Sequence, residues 1–136
     1  MADVLTPEQR RRNMAAIKGK NTKPEMIVRR LIHSLGYRYR LHRKDLPGKP
    51  DLVFPIRRKI IEVYGCYWHM HACPYGKVVP KTNTEFWQTK RLSNVTRDTR
   101  NSEELARLGW RVLVIWECEV KDAGELRARI TQFLDS

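Results

Sequence analysis

Between Ile27 and Leu35 apolar residues recur with helical spacing: Ile27, Leu31 and Leu35 form one stripe, with Val28 and Ile32 beside it. Thr22, with Glu25 three positions later, is a capping-box pattern that opens such a helix, and Gly36 can stop it. Upstream, "TPEQRRRNMAAIKGKN" predicts another helix from Thr6, with Pro7 suited to the first helical position and Gly19 and Asn21 ending it. The period then changes. Tyr37, Tyr39 and Leu41 alternate with basic residues, as in a half-buried strand, and "LPGKP" is a turn or loop. "DLVF" and "KIIEVYG", separated by "PIRR", predict a β-hairpin. Residues 65–83 carry little periodicity and predict an irregular, ligand-tied loop. A long helical pattern runs from Thr84 to Leu108 and ends at Gly109. "WRVLVIW" predicts a buried strand with Trp110 and Trp116 in the core, and Asp122 to Leu134 a last helix. The order α-α-β-β-β-α-β-α predicts an α/β domain with a central mixed β-sheet flanked by helices.

The length of 136 residues fits one domain spanning 1–136, and there are no internal repeats or linkers. No apolar run approaches the ~20 residues of a membrane span, and "MADVLTPEQRRR" has no apolar signal region. A soluble, cytoplasmic protein is expected. Charge narrows the partner: 27 Lys+Arg against 15 Asp+Glu give a net +12, spread along the chain. Basicity distributed over a folded domain favours a polyanion, nucleic acid before membrane, although a solubilising surface is the plainer alternative.

Three cysteines make an odd count that argues against a disulfide framework. Two of them lie in "GCYWHMHACP", residues 65–74, where Cys66, His71 and Cys73 offer two thiolates and an imidazole. Cys118, after the "WRVLVIWE" strand, could return as a fourth ligand and complete a Cys3His set suited to one tetrahedral, structural Zn2+. The spacing differs from the common Cys-x-x-Cys pairs, and ordinary buried thiols beside a surface histidine are the alternative. Asp51 at one strand start and Glu62 in the next could project to the same side of the hairpin. With the Val63 carbonyl they offer hard oxygen ligands to a catalytic Mg2+. This resembles the "PD…(D/E)-x-K" signature of restriction-endonuclease-like nucleases, with Tyr64 in the place of the lysine; a turn Asp and a solvated Glu explain the same residues more plainly. With the lysine missing, His69 is a candidate acceptor for the proton of the attacking water, or else a zinc ligand in place of His71 or a surface histidine. Asp98 could orient it, or be a solvated helix charge. Tyr67, Trp68 and Trp87 could wedge into a base stack beside a basic surface, or join a core.

Taken together, "RRRNMAAIKGKNTKPE", "LPGKPDLVF", "YGCYWHMHACP", "TNTEFWQTKRLSNVTRD" and "LGWRVLVIWECE" resemble the very-short-patch repair (Vsr) endonucleases, bacterial enzymes that nick DNA beside T·G mismatches. The resemblance covers nearly the whole chain. It implies a restriction-endonuclease-like fold, a structural zinc, Mg2+-dependent cleavage of double-stranded DNA 5′ to the mispaired thymine, and aromatic intercalation beside the mismatch. By motif, Asp51 and the Val63 carbonyl correspond to the Mg2+ ligands, His69 to the water-activating histidine and Asp98 to a further acidic residue. Cys66, His71, Cys73 and Cys118 correspond to the zinc ligands. Tyr67, Trp68 and Trp87 correspond to the intercalating aromatics, with Tyr67 where phenylalanine is familiar. Asn13 and Met14 fall in an N-terminal DNA-gripping segment, residues 1–21. Glu25 matches a glutamate associated with the site, which the capping box explains equally well. Tyr64 stands where familiar members have a second histidine, and Glu62 where they have an apolar residue, so Glu62 could take a larger share of metal binding. The resemblance further implies a monomer acting on nucleoid DNA, with other mismatch-repair proteins as partners. A nicking enzyme acting on matched sites is the alternative. A zinc-stabilised DNA-binding module without cleavage is a third reading, against which two carboxylates facing phosphate argue unless a cation lies between them.

Overall fold

The computed structural model describes residues 22–74, 76–79 and 81–136. The helix expected from Thr6, with Asn13 and Met14, lies outside the described residues. Helix α1 spans Lys23–Ser34, followed by strands β1 (Arg40–Leu41), β2 (Leu52–Phe54) and β3 (Lys59–Tyr64), helix α2 (Thr84–Arg107), strand β4 (Arg111–Trp116), a 3-10 turn (Glu117–Lys121) and helix α3 (Ala123–Asp135). The order of helices and strands over these residues is the expected one. Thr22 caps α1, its Oγ1 accepting from the Glu25 N–H at 3.3 Å.

The sheet runs β1-β2-β3-β4, antiparallel between β1, β2 and β3 and parallel between β3 and β4. It is therefore mixed, as expected, with α2 as the crossover between the parallel pair. Alternation along the strands serves both faces. Leu52, Phe54, Ile61 and Ile115 pack with Val28 and Ile32 of α1 and Leu126, Ile130 and Leu134 of α3. Val53 and Ile60 turn the other way, against Leu105 at the end of α2 and Trp110. Fully burying each such aliphatic side chain contributes roughly 1.5–3 kcal/mol, so these two layers are the main hydrophobic support of the sheet.

Two expectations change. The strand expected from Tyr37 shortens to Arg40–Leu41, because Gly36 (φ +89°) and His42 (φ +46°) turn the chain out of the ladder on either side. Tyr37 and Tyr39 still pack on the core without pairing. The "WRVLVIW" strand is an edge strand, and within it only Ile115 is fully buried. Trp110 is in the core, as expected; Trp116 is half-buried and packs instead on the loop after β3, its ring stacked on His71 at 4.2 Å.

Candidate active site and metal centre

Parallel strands end on the same side of a sheet, and here Tyr64 lies opposite Trp116 at that end. Two residues beyond each stand Cys66 and Cys118. The 3-10 turn folds Cys118 inward, and its N–H donates to Cys66 Sγ at 3.4 Å, while the Cys66 N–H donates to Glu117 Oε1 at 3.3 Å. His71 Nδ1 lies 3.8 Å from Cys66 Sγ and 3.5 Å from Cys118 Sγ. With Cys73, all four ligand atoms fall within 4.8 Å of one another. A tetrahedral zinc with bonds of ~2.3 Å to sulfur and ~2.0 Å to nitrogen sets neighbouring S and N about 3.5 Å apart, so this set fits such an ion. Burial pushes the Cys66 thiol up to about 12, and a cation among the sulfurs is what would hold it as a thiolate. The loop closes tightly: a Cβ on Gly76 would overlap the His71 backbone, which only glycine avoids.

Helix α2 grips the same loop from the other side. Residues 91, 94, 98, 101 and 105 follow one helical stripe, and apart from Leu105 it is polar. Arg91 Nε donates to the Tyr67 carbonyl at 2.8 Å, Asn94 Nδ2 to the Trp68 carbonyl at 3.1 Å, and Asp98 Oδ2 pairs with His69 Nδ1. Three consecutive loop residues are thus held by three successive positions of one helix face. Arg91, almost fully buried, also binds the carbonyls of Gly76 and Val78. Asn101 lies against Gly48, which keeps the "LPGKP" loop beside the site. With Asp98 on Nδ1, the His69 ring leaves Nε2 available as an acceptor. Its face stacks on Tyr64, 4.1 Å between centroids and 7° between planes.

Asp51 precedes β2 opposite Glu62 of β3. Its Oδ2 accepts from the Val63 N–H at 2.8 Å. In an extended strand the carbonyl of a residue leaves on the same side as its N–H, so the Val63 oxygen points to the same unpaired edge, beyond the start of β2. Burial, and then the neighbouring carboxylates of Glu62 and Glu25, push Asp51 up to about 8 against the opposing Val63 hydrogen bond. Glu62 turns to Tyr64, whose hydroxyl donates to Oε2 at 2.9 Å; burial raises its pKa as well. The side chains that meet Asp51 Oδ1 come from elsewhere. His42 Nε2 lies 3.9 Å from it and 3.1 Å from Glu25 Oε2, and the three groups lie within 4.8 Å of one another. Glu25 therefore both starts α1 and faces Asp51. His42 was not singled out by the sequence; its signal was a histidine ending an alternating stretch just before "LPGKPD".

Tyr67, Trp68 and Trp87 are half-buried and belong to neither core cluster. Their rings meet edge to face, Tyr67 on Trp68 at 5.0 Å and Trp68 on Trp87 at 5.8 Å. Phe86, also unmarked by the sequence reading, extends the row at 4.9 Å from Trp87 and is 61% exposed. The structure thus brings Asp51, Glu62, Tyr64, His69 and Asp98 to one end of the sheet, with Glu25 and His42 beside Asp51 and the Cys/His cluster and aromatic row on the loop.

A family model for DNA mismatch endonuclease Vsr matches residues 2–75. A DNA mismatch endonuclease Vsr of Escherichia coli K12 is 42% identical over 93% of this chain and 80% of its own length. The chain belongs to the Vsr endonuclease family. A type II nicking enzyme of Xanthomonas oryzae is 52% identical over 99% of this chain and 98% of its own, and one of Neisseria meningitidis is 39% identical over 98% and 95%. The catalytic domain of the homing endonuclease I-Bth0305I covers 83% of this chain and 94% of its own at a TM-score of 0.56 and 23% identity, a likeness of fold. This Vsr-family chain is an endonuclease with DNA as its substrate. No helix among its described residues is long and apolar enough to cross a membrane.

Proposed function

We propose that this Vsr-family enzyme is a Mg2+-dependent endonuclease that nicks one strand 5′ to the thymine of a T·G mismatch, the first step of very-short-patch repair. The observation that carries the reading is the join between chemistry and wedge. His69, paired with Asp98, follows directly on Tyr67 and Trp68 in a loop held by the Cys/His cluster and by α2. An aromatic row that unstacks a mispaired step also brings the phosphate beside it to the histidine, and a mispaired step costs least to open. Asp51 and the Val63 carbonyl would hold the Mg2+, which would supply charge neutralisation at the phosphate being cleaved. His69 Nε2 takes the proton of the attacking water, while Asp98 fixes the tautomer and stabilises the imidazolium that forms. Tyr64 keeps the ring in its plane, and Glu62 anchors Tyr64. Zn2+ at Cys66, His71, Cys73 and Cys118 is structural, since four protein ligands leave no open position. Residues 1–136 act as one domain and a monomer, in the bacterial cytoplasm on nucleoid DNA, with residues 1–21 gripping the duplex.

A second reading, nicking of matched sites, draws on the type II nicking enzymes among the relatives. Strand-labelled matched and T·G duplexes in several sequence contexts, incubated with the protein and Mg2+, separate the two. A nick confined to the thymine strand of mismatched DNA is expected. Equal cutting of matched duplexes would replace the first reading with the second.

A further inference from the structure

We propose that His42 is a nitrogen ligand, together with Glu25 and Asp51, of the divalent ion at the head of β2, and that the site therefore prefers Mn2+ over Mg2+. The inference rests on the proposed placement of the catalytic metal at Asp51. Asp51 Oδ2 is occupied by the Val63 N–H, which leaves Oδ1 for an ion, and what faces Oδ1 is the His42 imidazole backed by Glu25. Neighbouring donors around an octahedral ion with bonds of about 2.1 Å lie about 3 Å apart. The Glu25–His42 separation of 3.1 Å already meets that spacing, and the 3.9 Å from His42 to Asp51 differs by a small side-chain adjustment.

The arrangement also explains how two buried acidic side chains come together. The Glu25 side chain is 1% exposed and that of Asp51 11%, so their mutual repulsion is poorly screened; an ion between them removes it. Arg29 Nη1, 3.6 Å from Glu25 Oε2, offsets part of the Glu25 charge. The chain fixes that imidazole in place: the His42 N–H donates to the Asp51 carbonyl at 3.1 Å, in a left-handed backbone turn at the end of β1. Carboxylate and carbonyl oxygens suit Mg2+ and Mn2+ alike, whereas an imidazole adds affinity for the transition ion and little for Mg2+. The competing account makes His42 an imidazolium bridging two carboxylates, with no bond to metal.

The test uses the zinc-loaded full chain with one equivalent of Mn2+ and no DNA. Pulsed electron paramagnetic resonance reads 14N modulation from a coordinated imidazole. The expected result is a 14N signal in the wild type that disappears in His42→Gln, with Mn2+ affinity falling about tenfold or more and Mg2+ affinity changing less. A wild-type spectrum without 14N modulation, or modulation that survives His42→Gln, overturns the assignment. Asp51→Asn separates this from failure of the underlying reading. If Mn2+ binding does not depend on Asp51, the metal is not at this site at all; if it does but shows no nitrogen, only the role of His42 falls.

Discussion

Tyr64 is not a group that can pass protons in this site. Burial, reinforced by the carboxylates of Glu62 and Asp98, drives its phenol far above the ordinary value, so it keeps its proton throughout the working range. What it offers is a flat face for His69 and a hydrogen bond for Glu62. Tyr64→Phe keeps the face and removes the bond. It should cost about 1–3 kcal/mol of stability from the buried acceptor left behind, yet change the nicking rate less than about tenfold. Tyr64→Ala, which removes the face, should lower the rate about a hundredfold. Single-turnover nicking and thermal melts read both, and a loss in Tyr64→Phe as deep as in Tyr64→Ala would give the hydroxyl a chemical task. Asp51 makes a second residue-scale prediction, with a definite sign. Its folded pKa of about 8 exceeds the unfolded 3.8, so between these values the folded, metal-free chain holds a proton that the unfolded chain has released. Stability of that form therefore falls as pH rises through the window and levels above it. Metal must expel the same proton, so Mg2+ affinity of the zinc-loaded protein should rise up to about tenfold per pH unit toward pH 8 and then flatten. Calorimetric titration across that range checks it; a flat profile removes Asp51 from the metal. At this scale Asp51, His69 and Asp98 were candidates because each falls in a stretch that carries the family resemblance, and the structure pairs His69 with Asp98. His42 was not, because what brings it to Asp51 is a left-handed turn after a two-residue strand, and neither leaves a periodic trace.

Helix α2 has only a weak apolar stripe because the face it turns inward over its middle turns is polar: Arg91, Asn94, Asp98 and Asn101 precede Leu105. The helix itself was readable from its length and spacing. The purpose of the polar stripe was not, because each of its partners is a backbone carbonyl or a ring in a loop with no period. Two devices hold that loop, and they can be removed separately. Asn94→Ala deletes the tie to the Trp68 carbonyl. It should cost about 1 kcal/mol, leave zinc at one equivalent, and slow nicking of the T·G duplex about tenfold through a misplaced wedge. A fluorescent base analogue beside the mismatch should report less unstacking; unchanged nicking together with unchanged unstacking would mean that the stripe does not set the loop. Cys118→Ser acts on the other device. Zinc content should fall well below one and the melting temperature by about 10 °C, since a structural site contributes several kcal/mol. Full zinc occupancy at unchanged stability would refute the four-ligand set. The distant partnership of Cys66 and Cys118 follows from the parallel register that sets Tyr64 opposite Trp116. The sequence supplied the candidate ligands; their approach depended on how the strands pair.

Across the whole molecule, the net charge of +12 is the property most directly legible in the sequence, and it belongs to the duplex rather than to the reaction. The fold puts the Asp51, Glu62 and Asp98 carboxylates, the Cys/His cluster and the aromatic row at one end of a sheet whose two faces are closed by helices. A cationic molecule with a cluster of acidic side chains must bind DNA through its basic surroundings and tolerate phosphate at the cluster only when a cation lies there. Binding and cleavage should therefore separate cleanly. In the absence of divalent metal, affinity for a T·G duplex should fall by about a thousandfold or more between 50 and 200 mM salt, the behaviour of a protein that neutralises six or more phosphates. Asp51→Ala should leave that salt dependence unchanged, since Asp51 releases no counterion from DNA. It should also bind the metal-free duplex as tightly as the wild type, because below about pH 8 the metal-free Asp51 side chain holds its proton and carries no charge to oppose the phosphate. Its nicking should be abolished. Fluorescence anisotropy over a salt series, with a parallel strand-labelled cleavage assay, measures both quantities on the same variant. Weakened metal-free binding in Asp51→Ala would mean that the carboxylate supports the DNA interface itself, and retained nicking would take Asp51 out of the reaction.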